Sequence, residues 1–256
     1  MSHAPFTGER LHPGNRLFGL DLARHEIAYR FAREYAGSAW VLDLGCGSGT
    51  GTAGLVDWGA RVVGLDRIVP DASSRRAGGH FVRADLAGLP LASRTFSLVV
   101  SFQVIEHLAD PTRYLDGIAE LLRPDGFALI TTPNRLMSDG VNPYHVHEYV
   151  ADELADRLGQ RFSSVEMRGV GASERVTRIL EERSRRIRRI MRLDPLRLRE
   201  RMPRSLVEWL FARFAVLVRR RASNLSLEDD LTWREFPVGP ADERCLDLLA
   251  ICRRPR

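Results

Sequence analysis

Short apolar runs recur along the chain, each bounded by glycine, proline or charge, and they predict strands. Trp40–Leu44 reads as a strand covered on both faces, because Val41, Leu42 and Leu44 leave little polar surface. Arg61–Asp66 predicts a second strand that ends in a carboxylate, 80–86 a third, 96–101 a fourth and 127–131 a fifth. Residues 162–167 fit a sixth strand and 245–252 a last one. Helical spacing governs other stretches. Leu22, Ile27, Phe31 and Tyr35 fall on one face of a helix over 22–35, and 151–159 reads as a second helix with Glu153 and Asp156 on its polar side. Near 204–221, Ser205 can cap a helix that is apolar on most of its surface and ends in Arg219, Arg220 and Arg221, charges suited to its dipole.

The first strand runs into a turn rich in glycine: Asp43, Gly45, Cys46, Gly47, Gly49 and Gly51. Glycines let a ligand approach backbone amides closely, and the helix that follows presents free N–H groups to the same crevice. The spacing does not match a dinucleotide fingerprint, because the last required glycine falls on Thr50 or Thr52. A phosphate loop is excluded too, since no Gly-Lys-Ser/Thr follows and the chain has no lysine.

The pattern present, Asp43-x-Gly45-x-Gly47-x-Gly49, resembles motif I of class I S-adenosylmethionine (SAM)-dependent methyltransferases. Asp66 ends the second strand about 20 residues further on, the usual offset of a ribose-binding acid. The turn Arg123-Pro124-Asp125-Gly126 and the segment Glu106-His107-Leu108 are similar to the same enzymes, including those that O-methylate ubiquinone precursors. The resemblance covers about 38–168. It implies a Rossmann-like α/β fold with a seven-stranded sheet in the order 3-2-1-4-5-7-6, the last strand antiparallel. It also implies SAM held by Asp43, Gly45, Cys46, Gly47, Gly49, Asp66, Arg67, Asp85, Leu86 and Gln103, with Asp43 orienting the methionine ammonium and Asp85 near the adenine.

On that frame the chain divides into a leader and helix (1–37), a SAM-binding core (38–171), an arginine-rich helical insertion (172–244) and the final core strand (245–256). Phe6, Thr7, Gly8, Glu9 and Arg10 resemble the leader of a methyltransferase group found with glycan-modifying genes. In related folds such a leader closes over the SAM site; a plain packing arm is the alternative. The insertion reads as a lid on the sheet, as a helix resting on anionic lipid, or as a dimer contact.

Composition narrows the remaining choices. The net charge is +5, but all 38 basic residues are arginine, which points to a GC-rich genome rather than to a binding surface, so nucleic acid is not expected as a partner. No apolar run reaches the length of a membrane span, and the N-terminus lacks the pattern of a signal peptide. Three cysteines form no disulfide framework or zinc pattern, so a cytoplasmic setting is expected, with peripheral membrane contact through 204–221 as an option.

Methyl transfer to a hydroxyl needs a base. His107 follows the fourth strand; His145 and His147 lie on the loop after the fifth, sharing one side of an extended segment by period two. His145 or His147 is the expected base, and no metal is expected, although Glu148 beside the two histidines would complete a ligand set. The expected acceptor is a hydroxyl of a small molecule, a sugar or a lipid-linked intermediate. Two other functions stay open: a SAM-binding protein without catalysis, and an RNA methyltransferase. Against adenine N6 chemistry, Ser101-Phe102-Gln103-Val104 stands where an Asn/Asp-Pro-Pro-Tyr motif would lie.

Overall fold

The computed structural model describes residues 19–140, 142–191 and 230–256. The leader motif at Phe6–Arg10 and the helix at 204–221 lie outside the described residues. Strands β1 (Trp40–Leu44), β2 (Arg61–Asp66), β3 (His80–Arg83), β4 (Phe96–Phe102), β5 (Leu122–Pro133), β6 (Phe162–Val170), β7 (Val238–Pro240) and β8 (Asp247–Pro255) form one sheet. Its order is β3-β2-β1-β4-β5-β8-β6-β7. This is the order expected, with β8 as the predicted last strand, antiparallel between β5 and β6. The sheet has one strand more than expected. Val238–Pro240 lies within the stretch read as a helical insertion, yet pairs antiparallel with Arg168, Gly169 and Val170 at the sheet edge. Three residues are too few to show alternation, and proline is tolerated at an edge.

Helices α1 (Gly19–Ala32), α2 (Thr50–Asp57), α3 (Ala72–Arg76), α4 (Thr112–Leu121), α5 (Ala151–Gly159) and α6 (Glu174–Met191) complete the described elements, with single 3-10 turns at Ile105–His107 and Trp233–Glu235. Alternate strand residues feed two cores. Leu42, Leu44 and Val99 point into one, with Leu115 and Ile118 of α4 and Leu154 and Leu158 of α5. Val41, Leu98 and Val100 point into the other, with Ile27 and Ala28 of α1 and Val176 and Ile179 of α6. Burial on both faces is what a mainly parallel sheet requires of such apolar runs.

The Arg123-Pro124-Asp125-Gly126 turn appears as a break in register. Phe96 pairs with Leu122, but Leu98 pairs with Phe127, so the residues between are looped out of the ladder. The two parallel connections β1 to β2 and β4 to β5 put the loops after these strands at the same edge. Ligand sites of doubly wound sheets lie at that edge.

Candidate active site

The turn after β1 is wound left-handed: φ is 85° at Gly45, 55° at Gly47 and 80° at Gly49. L-residues pay for that conformation, so the glycines are required by the turn itself. They differ in what surrounds them. A Cβ on Gly45 would lie 2.5 Å from Val104, which packs the segment after β4 against the turn. A Cβ on Gly47 would meet nothing within 4 Å, so bare backbone faces open space there.

Beneath this turn Asp43 is 1 % exposed. Its carboxylate accepts a hydrogen bond from Thr52 Oγ1 at 2.6 Å and from Tyr29 Oη at 3.1 and 3.2 Å. Burial pushes its pKa up to about 7; Thr52 and Tyr29 oppose the shift and the charge of Asp66 adds to it. Cys46 in the turn is 7 % exposed. Burial, then the charges of Asp43 and Asp66, raise its thiol pKa, so it stays protonated.

Asp66 stands at the end of β2. Its Oδ2 accepts the N–H of Gly47 at 2.9 Å and its Oδ1 that of Ile68 at 3.0 Å. Each oxygen keeps a further lone pair. Ala84 N–H donates to the Asp66 carbonyl at 3.0 Å, which brings the β3 end alongside. Asp85 there is exposed, with Oδ1 accepting from Ala87 N–H at 2.9 Å. Leu86 packs half-buried on the core. Arg67 is exposed, and its carbonyl accepts from Arg83 Nε at 2.9 Å. Acids beside bare glycine backbone fit SAM: its hydroxyls need acceptors and its positive charges need carboxylates.

The far half of the crevice is built from the β4 end, the loop after β5 and the start of β8. Gln103 has φ 57°, rare outside glycine. Its amide does not turn to the glycine side: Nε2 donates to Asp247 Oδ1 at 3.2 Å and Thr131 Oγ1 at 3.4 Å. Arg24 of α1 donates from Nε to Asp247 Oδ2 at 2.6 Å, and its Nη2 bonds Asp247 Oδ1 and the Leu246 carbonyl.

Glu106 is fully buried. Oε2 accepts from Thr132 Oγ1 at 3.0 Å, and Oε1 has no hydrogen-bond partner. Burial raises its pKa, against the pull of His107, His145 and Thr132. His107 Nδ1 lies 3.0 Å from the Tyr144 carbonyl. A carbonyl only accepts, so Nδ1 carries the proton and Nε2 faces Glu106 Oε1, 3.9 Å away. The His145 ring centre is 5.2 Å from that of His107. His145 Nδ1 lies 2.5 Å from Glu148 Oε1, which also accepts from Ser138 Oγ at 2.8 Å. Burial alone would raise the Glu148 pKa, but the bonds from His145 and Ser138 bring it below the ordinary value. Glu106, His107 and His145 offer ligand atoms within 4.8 Å of one another, a donor set that a divalent cation can use.

His147 does not join this group. Its Nε2 bonds Glu153 Oε1 at 2.5 Å, its side chain is 44 % exposed and its ring packs edge-on against Tyr149. The period-two expectation fails because the segment is not extended: Val146 and His147 N–H both donate to the Glu106 carbonyl, at 2.7 and 3.1 Å. That turn sends the two histidines to different partners.

Tyr29, Thr52, Arg24, Asp247 and Thr132 escape the sequence pattern. Most lie far in sequence from what they touch; only the acid at 247, opening an apolar run, carried a signal.

The strand order with its antiparallel β8 defines a methyltransferase-type α/β fold. The chain belongs to the family of methyltransferase domains, whose model matches residues 19–192, and so to the class I SAM-dependent methyltransferases. It is 39 % identical over 168 residues to a probable S-adenosylmethionine-dependent methyltransferase of Mycolicibacterium smegmatis, covering 61 % of this chain and 64 % of that one. It is 32 % identical over 128 residues to a ubiquinone biosynthesis O-methyltransferase of Cereibacter sphaeroides, covering 45 % and 52 %. The matched stretches thus span less than two thirds of these relatives. A SAM-dependent methyltransferase from Archaeoglobus fulgidus superposes with a TM-score of 0.54 over 95 % of both chains at 17 % identity, which speaks for the fold alone. Among the described residues no helix is long and apolar enough to cross a membrane.

Proposed function

We propose that this protein methylates a hydroxyl group of a small molecule, a sugar or a lipid-linked intermediate, with SAM as methyl donor and His145 as the base. The single observation that carries the role of His145 is its bond to Glu148. Glu148 accepts the Nδ1 proton, which directs Nε2 to act as the base, and its charge stabilises the imidazolium that forms. SAM, when bound, supplies a methyl group activated by a sulfonium. Asp66 accepts from ribose hydroxyls, Asp43 sets negative charge beneath the glycine turn, and Asp85 stands ready at the β3 end. The turn glycines and Gln103 shape the cradle. Glu106, buried beside His107 and His145, offers a carboxyl group where a proton must arrive. The Cereibacter relative, a ubiquinone biosynthesis O-methyltransferase, supports hydroxyl acceptors.

Calorimetric titration with SAM, S-adenosylhomocysteine and NAD tests the cofactor; hydroxylated sugars and quinols then serve as acceptors. His145→Gln lowers kcat by about 100-fold or more, and Glu148→Gln by less. His147→Gln leaves kcat near wild type. Equal loss at 145 and 147 refutes the assignment. The donor set of Glu106, His107 and His145 favours a second reading, in which a divalent cation binds the acceptor oxygen. Activity abolished by chelator and restored by added metal selects it. Binding of SAM without turnover of any acceptor selects the non-catalytic function.

A further inference from the structure

A second cavity lies away from the crevice. It is bounded by α1, β6, β7 and the Trp233–Glu235 turn, and takes no residue from the glycine turn or the loop after β5. Its volume is about 820 Å³, within the range of small-molecule sites. Four guanidinium groups line it, from Arg30, Arg33, Arg168 and Arg234, against a single acid, Glu34.

Only two of these arginines have an acidic partner among the described residues. Arg30 bonds Glu26 at 2.7 Å, and Arg168 approaches Glu166 only to 3.6 Å. Arg168 Nε is buried and has no hydrogen-bond partner. Neither Arg33 nor Arg234 forms an ion pair among the described residues. Instead they stack. Arg30 and Arg234 sit 4.4 and 4.6 Å from the Trp233 ring centre, and Arg33 sits 5.7 Å from that of Trp58. Stacking holds a guanidinium's face and leaves its N–H edge free for an anion. Like charges gathered around one cavity repel, and a bound anion relieves that repulsion. The remaining wall is apolar, with Ile27, Phe31, Phe236 and Val238.

We propose that this cavity binds a phosphomonoester with an apolar or aromatic body. The phosphate takes the N–H edges of the arginines, Arg33 and Arg234 foremost, and the body rests on the apolar wall. The chemistry is the same whether the ester is a free metabolite or a lipid headgroup.

The test is a titration of the full chain, followed by tryptophan fluorescence, with inorganic phosphate, 1-naphthyl phosphate, and phosphatidylcholine vesicles with or without phosphatidic acid. Trp233→Phe identifies the reporting ring. Saturable binding of naphthyl phosphate, weakened about tenfold by Arg33→Gln or Arg234→Gln, supports the site with a soluble ligand. Binding only to vesicles that contain phosphatidic acid, with the same dependence on the two arginines, supports it with a lipid source. No binding of any probe, inorganic phosphate alone matching the esters, or binding indifferent to both variants overturns the proposal. SAM affinity stays unchanged in both variants, so failure here is separable from failure of the cofactor site.

Discussion

Replacing Asp43 by asparagine separates what this residue costs the fold from what it does in the site. The carboxyl is 1 % exposed and its pKa is pushed up to about 7, chiefly by burial, from an ordinary value of 3.8. A gap of about 3 pH units at 1.36 kcal/mol each amounts to roughly 4 kcal/mol. The sign follows from proton counting. Between about pH 4 and pH 7 the unfolded chain has released this proton and the folded chain still holds it, so stability falls as pH rises and levels off above about 7. The substituted side chain cannot ionise, and its amide can still pair with Tyr29 and Thr52. Without ligand, Asp43→Asn therefore melts above wild type at about pH 8, by up to about 4 kcal/mol or roughly 10 °C. The two proteins converge toward about pH 4. With SAM the order inverts: wild-type affinity rises through about pH 7 as the carboxylate forms, while the variant binds weakly at every pH. Calorimetric melts and SAM titrations across this range provide both curves. Parallel stability slopes for wild type and Asp43→Asn would refute the reasoning, because Asp43 would then not be the titrating group.

Three further outcomes are expected. Gly51→Ala puts a Cβ 1.9 Å from the Tyr29 ring, so α1 or α2 must shift; thermal melts should show a loss of about 3 kcal/mol, and SAM binding should fall with it. Asp247→Ala strips the acidic partner from Arg24 and one of two acceptors from Gln103, and denaturant unfolding should show a loss of about 3–5 kcal/mol, against a smaller loss for the double change with Arg24→Met. Thr132→Val removes a side-chain donor to Glu106; if Glu106 serves the reaction, kcat drops several-fold at unchanged KM for SAM.

Much of this architecture was legible along the chain because it is written locally. Apolar runs covered on both faces mark central strands wherever they occur, and glycine at 45, 47 and 49 has a reason internal to the turn, its left-handed backbone. Asp43 near the end of β1 and Asp66 at the end of β2 stand out as acids within or closing apolar runs. The division of the chain between 172 and 244 was less legible, since the edge strand at Val238–Pro240 exists only through its pairing with β6.

What tertiary structure decided is the partners. Asp43 looks like a ligand acid in sequence, but Tyr29, 14 positions away on α1, makes it half of a buried network. Two histidines a residue apart look equivalent until the carbonyl of Glu106 bends their segment and hands one to Glu148, the other to Glu153. Arg24 and Asp247 stand 223 positions apart and meet only because β8 inserts between β5 and β6. Local sequence sets backbone conformation through sterics and burial periodicity. Which side chains share a pocket depends on contacts between distant segments, whose closure no local pattern encodes.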